Sequence, residues 1–454
     1  MGSHVTDSVF FRDQYGTEEM RRVFDDDTLL QRWLDVEAAL ARAEAAIGLI
    51  PAKAAKEIVR KARSAYLEKA VIAHEMETTS HPIVPVIRAL QRVCDDDAGQ
   101  YIHWGATTQD ITDTALVLQI GEAYRLVLRD LTALGTALAT RAVEHRDTLM
   151  PGRTHGQHAL PVTFGYKMAI WVAETRRHIE RLDQCKPRLL IGQFAGAAGT
   201  LASVAEHGPE IRKRMMDDLG LGVTEIPWHT ARDGIAEFVS ILGMIAATIG
   251  KIANEVINLQ RTEIAELEEP YVYGKVGSST MPHKRNPMIC EAIVGVTRLA
   301  RQQVPLALEA MGHEHERDWA QVHIEWALVP ETCLLVAGAL AQTIRVINGL
   351  IVYPERMARN VDMLQGLILS EAAMLKLAAH IGRQDAHDVV YHASMRAYEE
   401  GISLKTALMQ EPQVRDHLRE EDVEALLEPR AYTGLAGQVV DAVVGRERPH
   451  QEGA

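Results

Sequence analysis

Cysteine and positive charge are both scarce in this chain of 454 residues. The four cysteines lie far apart and form no C-x-x-C pair; they are Cys94, Cys185, Cys290 and Cys333. This spacing fits neither a disulfide framework nor a zinc ribbon, and it favours a reducing, cytoplasmic location. Asp and Glu number 62 against 48 Lys and Arg, which gives a net charge of −14. Nucleic-acid binding needs a basic face to neutralise phosphates, so we expect no nucleic-acid partner.

Long apolar runs and aromatic residues are scarce as well. The longest mostly apolar run, 238–250, is 13 residues long, whereas a transmembrane helix needs about 20. No signal peptide is visible, and we expect no membrane partner. Aromatic residues make up 5% of the chain, while hydrophobic residues make up 47%. Few aromatics among many Ala, Leu, Glu and Arg residues favour helices over sheets in a globular chain.

Proline is missing from several long stretches, which favours long helices. These stretches are 228–269, 163–186, 306–329 and 331–353. Helices of such length have to pack along other long helices, in the same chain or in neighbouring subunits. We predict an all-α fold in three segments: an N-terminal helical domain at 1–110, a central bundle of long helices at 111–353 and a C-terminal helical domain at 354–454.

The residues with chemical potential lie in short segments between these helices. The longest segment, 274–287, reads GKVGSSTMPHKRNP. Its glycines permit close approach of the backbone to a ligand, and its prolines interrupt helix. Lys284 and Arg285 supply positive charge and Asn286 supplies amide donors, which suits the binding of a small carboxylate. The alternative interpretation is a helix-joining loop with a basic tip.

A second segment, 152–158, reads GRTHGQH and precedes Pro161, which we expect to open the next helix. Its histidines, His155 and His158, lie three positions apart, a spacing that raises the question of a metal pair. Because the chain has no H-E-x-x-H and no clear further ligand set, we predict no metal here. A hydrogen-bonded loop histidine is the alternative to a functional one.

Two further segments carry polar residues. The adjacent hydroxyls of Thr107 and Thr108 either donate to a ligand carboxylate or cap a helix that begins near Asp110. Residues 313–318 read HEHERD and alternate in charge. We interpret this alternation as a solvated or inter-subunit ion-pair face rather than a metal site.

Residues 277–287, GSSTMPHKRNP, closely resemble the signature loop of the fumarase/aspartase superfamily. That superfamily includes fumarase, aspartase, argininosuccinate lyase, adenylosuccinate lyase and 3-carboxy-cis,cis-muconate cycloisomerase. The resemblance extends over nearly the whole chain. It implies the family's all-α, three-segment fold, with the signature loop in the central bundle.

The resemblance also implies roles for individual residues. The first serine of the loop is the general base of the family, which is Ser278 here, and the histidine after threonine in the second segment is the general acid, which is His155. Substrate-binding roles are implied for Thr107, Thr108, His81, Thr154, Gln157, Ser279, Met281, Lys284 and Asn286. His81 is followed by Pro82 where adenylosuccinate lyases usually carry Asp, so a packing histidine remains the alternative there.

Several segments resemble the muconate cycloisomerase branch, namely 10–24, 227–233 and 315–326. Adenylosuccinate lyases carry an N-terminal Tyr/Arg pair and an arginine after the equivalent of Glu325, and both hold a nucleotide phosphate. This chain lacks the pair and has Trp326 in the second place, so a phosphate dianion would be held poorly. His155 departs from the usual cycloisomerase pattern, and Ala231 replaces a glutamine that is common in both branches.

The resemblance therefore predicts a lyase that carries out β-elimination, most simply C–N cleavage, on a succinyl-type dicarboxylate and releases fumarate. The alternative is 3-carboxy-cis,cis-muconate cycloisomerisation; adenylosuccinate lyase and a non-catalytic structural relative are less favoured. No metal, flavin or nicotinamide cofactor is expected. The family precedent implies a homotetramer in which Thr107–Thr108, His155 and Ser278 reach one active site from three different subunits.

Overall fold

The computed structural model describes residues 4–271, 274 and 277–446, and helices dominate it. This confirms the predicted all-α fold. The helices are α1 (Arg12–Tyr15), α2 (Glu18–Val23), α3 (Asp26–Ala46), α4 (Ala52–Lys61), α5 (Lys69–Thr79), α6 (Ile83–Val93), α7 (Thr108–Glu144), α8 (Phe164–Leu189), α9 (Gly208–Leu219), α10 (Asp233–Gln260), α11 (Met288–Glu309), α12 (Ala320–Asn348), α13 (Pro354–Val361), α14 (Ser370–Ile381), α15 (Arg383–Glu400), α16 (Leu404–Gln410), α17 (Pro412–Arg415), α18 (Glu420–Leu426) and α19 (Ala436–Val444).

Four short strands form two antiparallel pairs within the described residues. They are β1 (Leu149–Thr154) with β2 (Gln157–Thr163), and β3 (Leu267–Glu268) with β4 (Ile351–Val352). The expectation that Pro161 opens a helix is wrong, because Pro161 lies in β2 opposite Pro151 and α8 begins at Phe164. Strand pairing at a short hairpin has overridden the helix-start preference of proline.

The chain forms two compact units. Unit 1 consists of Met1–Leu131, Arg177–Gly250 and Ala292–Gln342, and unit 2 consists of Thr132–Arg176, Lys251–Glu291 and Thr343–Ala454. The division into segments 1–110, 111–353 and 354–454 stays a prediction.

The core of unit 1 is built around α3, which packs against α4 and α9. Leu34, Leu40, Ile58 and Met215 are fully or almost fully buried there. Asp25 accepts a hydrogen bond from the Thr28 amide at 2.7 Å and so caps the start of α3. In unit 2 a separate core joins α14, α15 and α16, and α13 packs against β1.

Two helices, α10 and α12, are long and apolar enough to cross a membrane by length and composition. The uninterrupted apolar run 238–250 ends at Glu237 and Lys251, but isolated charges of this kind do not disqualify a longer window. In each helix 67% of the apolar window is buried within the protein. A helix that is apolar on most of its faces is typical of the interior of a large helical protein.

Two glutamates, Glu37 and Glu44, lie in the core of unit 1, about two helical turns apart on α3. Glu37 is 2% exposed and Glu44 is fully buried. Glu37 binds the His103 ring at 2.6 Å, whereas neither carboxyl oxygen of Glu44 has a hydrogen-bond partner among the described residues. Burial, with a smaller contribution from Glu37, raises the pKa of Glu44 to about 9. Glu44 is therefore protonated at neutral pH.

We predict that Glu44→Gln stabilises the protein more at pH 8.5 than at pH 5. The ordinary pKa of this carboxyl group is 4.5, and its pKa in the folded protein is about 9. At pH values between these two, the folded state holds a proton on Glu44 that the unfolded state has lost. The free energy of unfolding therefore falls as pH rises through this window, and glutamine removes that dependence. Thermal unfolding at both pH values measures the effect. Glu399→Gln, on an exposed position of α15, is the control, and an equal gain at both pH values would contradict the prediction.

Candidate active site

The start of α7 presents one of the two predicted threonines to a histidine. The Val84 amide donates to Nδ1 of His81 at 3.2 Å, and Nε2 of the same ring lies 3.1 Å from the Thr108 hydroxyl. Because Nδ1 accepts a proton donor, the ring proton sits on Nε2 and is donated to Thr108 Oγ1. The Thr108 hydroxyl keeps its own hydrogen for a ligand. Burial, with a smaller contribution from His103, lowers the pKa of His81 and keeps its ring neutral.

The other threonine has a capping position. Thr107 precedes the first residue of α7, and its backbone amide donates to Asp110 Oδ2 at 3.0 Å. Asp110 is fully buried, and it also accepts from the amides of Ala195 and Gly196 and pairs with the His229 ring at 2.9 Å. One carboxylate thus fixes the helix start and the glycine-rich segment beside it.

A cavity of about 320 Å³ opens over the start of α7. Its lining residues are Ser80, His81, Pro82, Thr107, Thr108, Gln109, Arg317 and Trp319. Arg317 donates through Nη2 to the Ala197 carbonyl at 2.8 Å, and its buried Nη1 has no hydrogen-bond partner in the described part of the chain. A buried guanidinium nitrogen without a partner is suited to binding an anion.

Arg317 is a candidate site residue that the sequence analysis missed. The alternating charges of 313–318 favoured a solvated ion-pair face, and periodicity does not show that one member of the run turns into a cavity. The sequence offered one signal for this position: Arg317 lies two residues before Trp319, in the segment that leads into α12 at Ala320.

A buried ion network stiffens α7 one turn further along. Arg232 is fully buried; it donates to both oxygens of Asp113, at 2.6 and 3.1 Å, and to both oxygens of Glu325. Its guanidinium also lies 4.7 Å from the centre of the Trp228 ring. Two carboxylates and an aromatic face satisfy this cation, so α7, α12 and the segment before α10 are joined by charge-assisted bonds.

The predicted acid, His155, lies at the tip of the β1–β2 hairpin in unit 2. Thr154 pairs with Gln157 across the hairpin, which leaves His155 and Gly156 as a two-residue loop. Both have positive φ, 52° and 77°, the pattern of a type I′ turn. All four tip residues are exposed, so the hairpin projects the His155 ring into solvent on a rigid support.

The hairpin is anchored next to its tip by an ion pair with a buried carboxylate. Arg153 donates through both terminal nitrogens to Glu266, at 2.6 and 2.9 Å, and Glu266 is fully buried. Asn360 of α13 donates to the same carboxylate at 2.7 Å. Burial, and to a smaller extent the charge of Arg153, lowers the pKa of the neighbouring His158, while the charge of Glu266 acts in the opposite direction.

The predicted base, Ser278, lies in a tight turn of the signature loop. Its Oγ accepts from the backbone amides of Met281 at 3.1 Å and Thr280 at 3.4 Å. A Cβ at Gly277 would lie 2.5 Å from the Lys284 carbonyl oxygen, so only glycine lets the two arms of the loop approach. Donors to an oxygen favour its ionised form, which is what a serine base requires.

The far end of the loop is held at Arg285. Its guanidinium binds both oxygens of Glu268, at 3.0 and 3.2 Å, and lies 4.0 Å from the centre of the Tyr271 ring. Gln260 donates to the Arg285 carbonyl at 2.9 Å. The side chains of Ser279, Met281 and Lys284 remain exposed and that of Asn286 is half-buried.

The predicted site residues therefore fall into three groups, of which two lie in unit 2. His81, Thr107 and Thr108 lie together around the unit 1 cavity; Thr154, His155 and Gln157 lie at the hairpin tip; Ser278, Ser279, Met281, Lys284 and Asn286 lie on the signature loop. Within the described residues no group of three or more His, Cys, Asp or Glu side chains is arranged to hold a metal ion. Val276 and Lys275 of the signature segment lie outside the described residues.

Comparison with protein families gives two matches. A family model described as "Lyase" matches residues 12–301, and a model described as "Adenylosuccinate lyase C-terminus" matches residues 366–443.

Individual relatives match over nearly their full length. An N-acetyl-S-(2-succino)cysteine lyase of Enterococcus italicus is 43% identical over 444 residues, which are 98% of this chain and 97% of the relative. A 3-carboxy-cis,cis-muconate cycloisomerase of Pseudomonas aeruginosa is 41% identical over 437 residues, 96% and 95% of the two chains. The crystal structure of a fumarate lyase from Mesorhizobium sp. BNC1 superposes with a TM-score of 0.90 at 41% identity, covering 95% of this chain and 99% of that one.

Proposed function

The chain belongs to the fumarase/aspartase superfamily of lyases, and from this premise we propose that it cleaves a 2-succinyl thioether to fumarate and a thiol. The observation that carries the elimination is the Ser278 hydroxyl, held by two backbone amides in the signature loop. The thiol follows from the relative named for N-acetyl-S-(2-succino)cysteine. The sequence analysis favoured an amine as leaving group, and a thiol replaces it in the proposal.

In the proposed reaction the substrate is RS–CH(COO⁻)–CH₂–COO⁻. Ser278, as the alkoxide, removes one proton from the CH₂ carbon, and negative charge develops on the adjacent carboxylate. The C–S bond then breaks, its electron pair leaves with sulfur, and a carbon–carbon double bond forms. The first products are fumarate and the thiolate RS⁻, which then takes a proton from the general acid or from water to give RSH. Each proton and electron pair is accounted for without a redox step.

Charge stabilisation is the main requirement of this chemistry, because the carboxylate next to the reacting carbon becomes a dianion-like aci form. Lys284 and Asn286 of the signature loop supply a cation and an amide for a carboxylate, and Thr108 and Arg317 supply a hydroxyl and a guanidinium. Donors aimed at developing charge each contribute about 3–4 kcal/mol. These assignments are proposals, as are the substrate contacts of His81, Thr107, Thr154, Gln157, Ser279 and Met281.

Cycloisomerisation of 3-carboxy-cis,cis-muconate is the second candidate, and the 41% identical cycloisomerase favours it. This reaction also transfers a proton at a carbon next to a carboxylate, but as part of an intramolecular addition instead of an elimination. Adenylosuccinate is disfavoured by the side chain after Glu325. Trp326 packs edge-on against Trp319, with ring centres 5.5 Å apart, where a phosphate would need an arginine.

Turnover of a substrate panel tests this function. The panel holds N-acetyl-S-(2-succino)cysteine, an N-substituted aspartate and 3-carboxymuconate, with fumarate or lactone followed by ultraviolet absorbance. The proposal expects the thioether to give the highest kcat/KM. Rapid turnover of 3-carboxymuconate with no fumarate from the other two would replace it with the cycloisomerase.

We predict that Ser278→Ala lowers kcat by on the order of a thousandfold or more, because the proton acceptor is lost. Binding should survive, since the methyl group removes no carboxylate contact. Ser279→Ala is the matched control on the neighbouring exposed hydroxyl, and it should have a much milder effect. Near-normal turnover of Ser278→Ala would show that another group is the base.

We predict that His155→Asn slows an N-substituted aspartate much more than a thioether. A thiol has a pKa of about 8.5 and leaves as a thiolate with little assistance, whereas an amine has to be protonated. Rates across a series of thiol and amine leaving groups measure this difference. Equal losses across the series would mean that His155 acts by charge or position and not as a general acid.

We also infer a homotetramer with shared active sites. Large apolar side chains on the long helices of unit 1 are partly exposed, with Met244 at 41%, Leu299 at 47% and Leu306 at 45%. Apolar helix surface of this kind is normally covered by another subunit. Under this proposal His155 and Ser278 reach each site from different chains.

Mixed tetramers test this assembly. With an N-substituted aspartate as substrate, on which both Ser278→Ala and His155→Asn are expected to be slow, mixing and reassembly of the two variants should restore part of the activity, because some sites then receive both intact residues. Light scattering should give about four times the mass of one chain, 50.3 kDa. An active monomer, or demonstrated subunit exchange without recovery, would contradict shared sites.

A further inference from the structure

The hairpin that carries His155 has a second histidine, His158, to which the proposed reaction assigns no role. In the antiparallel register His158 lies directly opposite Arg153, one position further from the tip than the pair of Thr154 and Gln157. Directly opposed residues share one face of a two-stranded sheet, with Cβ atoms about 4.5–5.5 Å apart. The side chains of Arg153 and His158 are therefore neighbours, on the face opposite to that of Thr154 and Gln157.

The same face meets a buried carboxylate. Arg153, whose side chain is 18% exposed, donates to both oxygens of the fully buried Glu266. Asn360 donates to one of these oxygens and to the Ile264 carbonyl. The single negative charge of Glu266 is thus matched by the single positive charge of Arg153. A second positive charge, on His158, would have to share this carboxylate.

The surroundings of His158 keep its ring uncharged at neutral pH. Burial is the largest cause of a lowered pKa, Arg153 lowers it further, and Glu266 opposes them. The main neighbours of β2 besides β1 are the apolar segment 367–369, the segment 429–432 and α19, and α13 packs against β1. Charged or titratable side chains on these neighbours are exposed or already bonded, namely Arg430, Tyr432, Asp441, Glu355, Arg356 and Arg359.

We propose that His158 is a positioning residue for the tip that carries His155, which it keeps in place while uncharged and releases when it is protonated. An uncharged ring lies beside the Arg153 guanidinium without repulsion, and Arg153 stays on Glu266. A protonated ring repels Arg153 across the strands and competes for the same carboxylate. The ion pair then weakens and the tip opens. Only the effect of this opening on turnover rests on the proposed function.

The pKa of His158 gives the direction of the pH effect. In an opened hairpin the ring would have its ordinary pKa of 6.5, whereas in the closed hairpin the pKa is lower. Well above pH 6.5 both forms are uncharged and the closed form has its full stability. As the pH falls below 6.5 the open form takes up a proton first, so the ratio of closed to open hairpin falls until the pH reaches the lower pKa.

Hydrogen exchange of the segment 149–163, which spans β1 and β2, measures the opening in the full chain without a ligand. Wild type and His158→Gln are compared at pH 7.5 and 5.5, with rates corrected for the intrinsic pH dependence of exchange. Protection in wild type should fall about threefold to tenfold, because each unit of pKa depression changes the ratio up to tenfold. Protection in His158→Gln should stay constant.

A matched control and two contrary outcomes define this test. His387→Gln removes an exposed histidine of α15 and should behave as wild type. An equal fall in wild type and His158→Gln would overturn the inference. If His158→Gln already lacks protection at pH 7.5, wild type decides by itself, and constant protection between the two pH values would overturn the inference.

Turnover separates this inference from the proposed function. The panel substrate most sensitive to His155→Asn is used, and kcat of wild type is divided by kcat of His158→Gln at each pH. Effects of pH on His155 and on the substrate cancel in this ratio, which should be near one at pH 7.5 and fall severalfold at pH 5.5. A constant ratio together with pH-dependent protection would support the positioning by His158 and contradict the proposed role of His155.

Discussion

Three carboxylates in the segment Glu266–Glu269 each bind a different part of unit 2. Glu266 holds Arg153 next to the tip of the hairpin, Glu268 holds Arg285 at the end of the signature loop, and Glu269 accepts from the amides of Ile289 and Cys290 at the start of α11. These glutamates are at most 8% exposed. Removing one partner of a largely buried pair such as Arg153–Glu266 typically costs about 3–5 kcal/mol, whereas the Arg285–Glu268 pair contributes less because the Arg285 side chain is 48% exposed. The hairpin and the loop are thus both tied to one short segment.

This arrangement explains how side chains on loops are positioned. His155 and Ser278 both lie on loops, and a loop by itself does not hold a side chain to the accuracy that proton transfer requires. The hairpin turn and the two amides on Ser278 fix local geometry, and the buried charges fix where each loop begins or ends. In unit 1, Asp110 has the same role, because it joins the start of α7 to the segment around Gly196.

The sequence predicts the helical fold well, because proline spacing and composition act locally. It also marks the loops that carry Ser278 and His155, since glycine and proline interrupt the helical pattern there. The hairpin around His155 was missed because Pro161 favours a helix start and strand pairing is decided by the partner strand. Contacts such as Asp110 with His229 join residues 119 positions apart, and no local pattern reports them. For the same reason the sequence does not show that Arg317 lines the cavity.

Relatives of almost equal similarity, 43% and 41% identical, are named for an elimination and for a cycloisomerisation. The base and the carboxylate donors that we propose would serve both reactions, so these parts do not separate them. What differs is the group attached to the carbon next to the carboxylate. Side chains that contact this group must therefore carry the specificity. The candidates we propose in this chain are Arg317 and Trp319, which line the unit 1 cavity just before α12, and Trp326, which packs against Trp319. A scaffold that keeps its proton chemistry can change substrate by changes in this short segment.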